Sequence, residues 1–174
     1  MERTRWTAAV PPDGSAGSPR RKKAAVMTAV GQALPVADLP AYLLGRWRLE
    51  REILDVTGSR LGSVTGIAEV LDHDDRLGYT EQGELVLATY RGPVSRRLDY
   101  RLTGPGRAEV HFDHGGFFHE VDLRDGRWST RHPCRDDDYQ GCYHVVDEDR
   151  WRQRWTVTGP RKDHAIVTEF RRLG

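Results

Sequence analysis

The chain has 174 residues, enough for one domain and a tail. Charged residues make up 30% of it and nearly cancel, at a net +1, so no basic excess exists to hold a nucleic-acid backbone. Its apolar runs fall short of the ~20 residues a membrane-crossing helix needs, and its two cysteines are too few for a disulfide-built secreted domain.

Residues 1–38 differ in composition from the rest. Val10 to Pro19 is rich in Pro, Gly and Ser, and Arg20 to Lys23 is a basic cluster. Such a segment buries too little apolar surface to offset its ordering entropy, so a disordered, solvated tail is expected. Met27 offers an alternative start. Met27 to Leu34, broken by Thr28, Gly31 and Gln32, is too weakly apolar for a signal-peptide core, which points to a cytoplasmic protein. The domain is expected over 39–174. It begins with a short helix, Asp38 to Leu44, with Asp38 as N-cap, Pro40 in the first turn and Gly45 as terminator.

From Arg46 onward the period is two. Trp47, Leu49, Arg51 and Ile53 alternate with Arg46, Arg48, Glu50 and Glu52, a strand with one buried face. Val64, Gly66, Ala68 and Val70 continue the inner face. After them come Leu77, Tyr79 and Glu81, and then Leu85 and Leu87 beyond a Gln82-Gly83 turn. Leu98, Tyr100 and Leu102, then Val110 and Phe112, then His119, Val121 and Leu123 follow. Trp151, Gln153, Trp155 and Val157 precede a last run of His164, Ile166, Thr168 and Phe170. Turn signals separate the runs, among them Thr57-Gly58, Gly104-Pro105-Gly106, Asp125-Gly126 and Gly159-Pro160. The pattern predicts an all-β domain, a single antiparallel up-and-down barrel of about ten strands, whose closure removes exposed edges.

A short helix, then Gly45-Arg46-Trp47 on the first strand, then an antiparallel meander resembles the calycins, the superfamily of lipocalins, fatty-acid-binding proteins and nitrobindins. The resemblance implies that Trp47 plugs one barrel end and that Arg171 or Arg172, with Arg172 preferred, packs across it. It also implies small-molecule binding. Asp136 to Gly141, Asp149 to Trp155 and Val157 to Asp163 are similar to an uncharacterised bacterial domain family without assigned function, over about residues 40–173.

Strand parity turns Arg51, Tyr79, Glu81, Tyr100, His119, Gln153, His164 and Thr168 inward. An unpaired inward charge is costly, so Arg51 needs Glu81, a ligand carboxylate or a route to solvent. The leading reading is a lumen that binds a hydrophobic or aromatic, optionally anionic, small molecule through Arg51, Tyr79, Tyr100, His119 and Gln153. The rival is a small barrel enzyme of isomerase, cyclase or hydrolase type, with His119 or His164 as acid/base beside Tyr79 or Tyr100. A third reading is an interaction module with a filled core.

Four further features carry less. His132, Cys134, Cys142 and His144 would share one sheet face if Arg135 to Gly141 formed a loop, but ligands two apart on a strand stand about 7 Å from each other, far wider than a zinc shell. The bland reading, two reduced cysteines in a hairpin, is preferred, and no metal is expected. His111, His114 and His119 fall on two strands and a turn. His164 sits where the nitrobindin resemblance implies an axial haem ligand, although a lone inner histidine is more often packed and hydrogen-bonded. Arg150, Arg152 and Arg154, with Arg97 and Arg101, lie opposite Trp151 and Trp155 in parity, as a solvated outer face over a Trp-rich core would. No nucleophile elbow, phosphate loop or dinucleotide fingerprint is present.

Overall fold

The computed structural model describes residues 32–174. One short helix, α1 (Leu39–Leu43), precedes ten strands: β1 (Gly45–Asp55), β2 (Arg60–Asp72), β3 (Leu77–Leu87), β4 (Arg91–Gly104), β5 (Arg107–Phe112), β6 (Phe117–Asp122), β7 (Arg127–Cys134), β8 (Asp137–Asp147), β9 (Arg150–Gly159) and β10 (Lys162–Leu173). All pairings are antiparallel, in the order β6-β5-β4-β3-β2-β1-β10-β9-β8-β7. The sheet curls until β6 and β7 meet, giving the nearly closed barrel that the alternation predicts. Along that seam the Trp128 indole donates to the Glu120 carbonyl at 2.8 Å. No helix among the described residues is long and apolar enough to cross a membrane.

Period two survives best where both neighbouring strands are regular. In β1, Trp47, Leu49, Arg51 and Ile53 are buried, and the residues between them are exposed. Two expectations shift. No turn forms at Gln82-Gly83, because β3 runs unbroken to Leu87. Gly83 instead stands opposite Gly66 of β2. A methyl group on Gly66 would come within 2.2 Å of the Gln82 carbonyl oxygen, and one on Gly83 within 2.5 Å of the Thr65 oxygen. Paired glycines let the two backbones approach and the sheet bend at this corner, so the glycine marks curvature rather than reversal. Leu102, assigned inward by parity, is 44% exposed, next to the register shift between Leu102 and Gly104.

The lower barrel end is closed from the sequence upward. Asp38 caps α1 by accepting from the Ala41 amide at 2.9 Å. The helix buries Leu39, Tyr42 and Leu43. Trp47 is fully buried beneath it, its indole donating to the Leu43 carbonyl at 2.9 Å. The Arg172 guanidinium lies 4.2 Å from the Trp47 ring centroid and donates to the Leu44 and Tyr42 carbonyls at 3.0 and 2.7 Å. A cation–π contact and two charge-assisted hydrogen bonds thus tie the last strand to the helix. Arg171 turns outward instead, onto Glu169.

Residues just ahead of α1 pack on the barrel. The Leu34 amide donates to the Val145 carbonyl and the Val36 amide to the Leu123 carbonyl, and Val36 is buried. The remainder of the expected tail, residues 1–31, lies outside the described residues.

Replacing Trp47 with Ala should cost about 3–5 kcal/mol of stability, as for other buried large-to-small changes. Arg172→Ala should cost about 2 kcal/mol, and Arg172→Lys should recover only part, because an ammonium cannot fork to both carbonyls. Urea denaturation followed by far-UV circular dichroism measures all three.

Candidate functional site

Above the plug the β1–β10–β9–β8 wall is built in rows. Leu49, Phe170, Trp151 and Val145 form one apolar row, with the Trp151 and Phe170 rings stacked 3.9 Å apart. Arg51, Thr168, Gln153 and Tyr143 form the next, which is polar. Ile53, Ile166, Trp155 and Gly141 lie above it. Over this polar row the side chains stop filling the lumen. A cavity of about 840 Å³ begins there and reaches the end carrying the β7–β8 and β9–β10 turns.

Its floor is ionic. Arg51, 3% exposed, donates through Nη1 and Nη2 to the two Glu81 oxygens at 2.8 and 3.0 Å and through Nε to Thr168 Oγ1 at 2.8 Å. The Tyr79 hydroxyl donates to Glu81 Oε2 at 2.6 Å, and Arg96 Nη2 reaches the same oxygen at 3.3 Å. Burial disfavours the Glu81 charge, yet Arg51 and then Arg96 outweigh it and bring its pKa from 4.5 to about 2. Glu81 is therefore an anion at any physiological pH. Burial, reinforced by the Glu81 charge, pushes the Tyr79 phenol well above its ordinary value.

Beneath the floor lies a neutral pair. His119 Nδ1 is 2.8 Å from the Glu120 carbonyl, which can only accept, so Nδ1 carries the proton. His119 Nε2 is then left to accept from the Tyr143 hydroxyl at 3.0 Å. Burial brings the His119 pKa down to about 4, consistent with a neutral ring. Burial also raises the Tyr100 phenol to about 12.

One wall is aromatic. Phe118 stacks on Trp155 at 5.1 Å and 16°, and His132 meets Phe118 edge-on at 4.9 Å. Trp155 lies across Gly141, where any Cβ would come within 2.7 Å of its ring, so glycine at 141 makes room for the indole. Phe118 faces inward because of a register shift at Val110/His111. His119 pairs with Val110 and Phe117 with His111, which leaves Phe118 unopposed.

All eight residues that parity turned inward are buried. Arg51, Gln153, His164 and Thr168 line the cavity, whereas Tyr79, Tyr100 and His119 pack behind its floor. Arg96 also lines it, and sequence reasoning passed over it although it shares the parity of Leu98 and Tyr100. His164 lies in the wall, its pKa lowered by burial, and nothing in its geometry sets it apart from a packed core histidine.

The proposed Arg135–Gly141 loop does not form. The β7–β8 hairpin turns on Arg135 and Asp136, with Arg135 at φ 57°. Tyr139 and Gln140 continue the ladder to Val157 and Thr156. Cys134 therefore opposes Asp137 and Cys142 opposes Ser129, while His132 opposes Tyr139 and His144 opposes Arg127. Both thiols are free. His111 instead meets Glu109 and the Gly115 carbonyl, and exposed His114 stacks on Phe112. Among the described residues no group of three His, Cys, Asp or Glu side chains is placed to hold a metal. Arg152 pairs with Glu169 and Arg150 with Asp147, while Trp151 and Trp155 are buried.

Residues 43–172 match the model of a family of unknown function, DUF6314. No curated protein matches the chain. Among solved structures it is similar to the S-type phycobiliprotein lyase CPES from Guillardia theta, at TM-score 0.55 and 9% identity, over 75% of this chain and 88% of that one. It is also similar to a protein of unknown function of the DUF3598 family from Nostoc punctiforme, at TM-score 0.56 and 12% identity, over 84% of this chain but only 53% of that one. At these identities the likeness shows a shared calycin-like barrel and nothing of the chemistry.

Glu81→Gln leaves two guanidiniums in the lumen without their counter-charge and should cost about 3–5 kcal/mol. Because the folded pKa of Glu81 lies below its unfolded value, its contribution is complete above pH 4.5 and is lost as the pH falls towards 2. Urea denaturation across that range should show a smaller acid-induced loss in the variant than in the wild type.

Proposed function

We propose that this chain, which belongs to the DUF6314 family of unknown function, binds a small hydrophobic or aromatic molecule non-covalently in its barrel lumen. The carrying observation is the cavity of about 840 Å³, open at the turn end and bounded below by the Arg51–Glu81 floor. It falls within the range typical of small-molecule pockets, roughly 300–1,000 Å³. A barrel of this girth either fills with side chains or holds one ligand, and the space above the polar row favours the second. Leu85, Val94 and Ile166 supply apolar surface, Phe118 and Trp155 a flat aromatic face, and Arg51, Gln153 and Thr168 the orienting polar groups.

The binding reading fits better than an enzymatic one built on His119. An acid/base histidine needs a ring nitrogen open to substrate. Both nitrogens of His119 are engaged, and the ring lies behind the floor. The phycobiliprotein lyase in the comparison supports the architecture, while the choice of ligand rests on the cavity.

Titration of the purified protein with Nile red, a neutral apolar dye, should give a saturable blue-shifted emission at one dye per chain. Val94→Trp, which places an indole in the cavity, should abolish it while leaving the far-UV circular dichroism unchanged. Absence of binding to the wild type, or undiminished binding to the folded variant, would remove the proposal.

A further inference from the structure

The floor of the lumen carries two guanidiniums, Arg51 and Arg96, against one carboxylate, Glu81. Arg51 spends its fork on both Glu81 oxygens and its Nε on Thr168. Arg96 is served poorly by comparison. Among the described residues its one hydrogen bond, 3.3 Å to Glu81 Oε2, falls on an oxygen that already accepts from Tyr79 and from Arg51, and its guanidinium lies 6.0 Å from the Tyr79 ring centroid. Its Nε is buried without a hydrogen-bond partner. A guanidinium offers five N–H donors in a planar fork, so most of its capacity is unspent. The side chain is 21% exposed and lines the cavity, so a ligand can reach it.

No other group in the cavity offsets this charge. Among the described residues that line it, carboxylates occur only at Asp136 and Asp137, in the turn at the mouth, and Asp137 is held by Lys162 at 2.6 Å. The wall above the floor is the flat Phe118–Trp155 stack. A charge partner for Arg96 and a planar apolar body for the wall are thus called for together.

Resting on the lumen-binding reading above, we infer that the ligand is a planar aromatic acid, its carboxylate forked on Arg96 and its ring system against Phe118 and Trp155. A carboxylate matches the guanidinium fork in charge and plane. Its arrival brings the floor to two cations and two anions.

Pyrene-1-carboxylate and pyrene-1-carboxamide share size and shape and differ in charge, and fluorescence titration can compare them. The wild type should bind the acid at least tenfold tighter than the amide. Arg96→Gln should bring the acid down to the level of the amide and leave the amide unchanged, whereas Arg96→Lys should keep part of the difference. Phe118→Ala should weaken both compounds alike. Equal binding of acid and amide by the wild type, or equal weakening of both by Arg96→Gln, overturns the assignment. Binding of Nile red with neither pyrene compound overturns it too, while leaving the lumen-binding reading in place. If none of the three binds, both readings fall together.

Discussion

A guanidinium inside a β-barrel cannot stay charged and unpartnered, and the position of Arg51 imposes that condition on everything around it. Alternation on β1 sends its side chain into the lumen as firmly as it sends Trp47 and Leu49. Glu81 answers from two strands away, Thr168 from the strand on the other side, and Tyr79 supports the carboxylate. The pair carries hydrogen bonds on every side, which distinguishes a tolerable buried ion pair from a ruinous one. It also divides the interior. Below it the lumen is packed with aromatic and aliphatic side chains, and above it the lumen is hollow.

The two ends of the barrel differ in kind. At the lower end the short helix, Trp47, Trp151 and Arg172 interlock through ring contacts and through hydrogen bonds to carbonyls at the end of α1. Residues 34–36 lie against the turns at that same end. The upper end is built from short turns whose polar residues pair locally, Lys162 with Asp137 and Arg131 with Asp138. The lower end is packed and the upper end open, because the chain places large aromatics early in β1 and β9 and short turns at the other end.

Much of this was legible in the residues. Period two identified the strands and the inward set, because a sheet with one buried face writes its orientation into every second position. It failed where the backbone departs from the pleat. The register shift at Val110/His111 turns Phe118 inward beside His119, and parity allows only one of two neighbours to face the core. Gly83 reads as a turn but is a bend, because glycine serves both purposes and only its partner Gly66 decides between them. The hairpin at Arg135-Asp136 is tighter than its polar neighbours imply, since Asp138 and Gln140 point outward from a strand rather than populating a loop. Arg96 was within reach of the same parity that found Tyr100. Its neighbour Arg97 faces outward, and two adjacent arginines carry no apolar signal to say which of them turns in.

The circle of strands is fastened by nine backbone ladders and one clasp of side chains between β6 and β7. Phe118 and His132 touch across that clasp, and both also look into the hollow. The bore of the vessel can therefore be retuned by changing side-chain volume at a single joint, with no ladder broken.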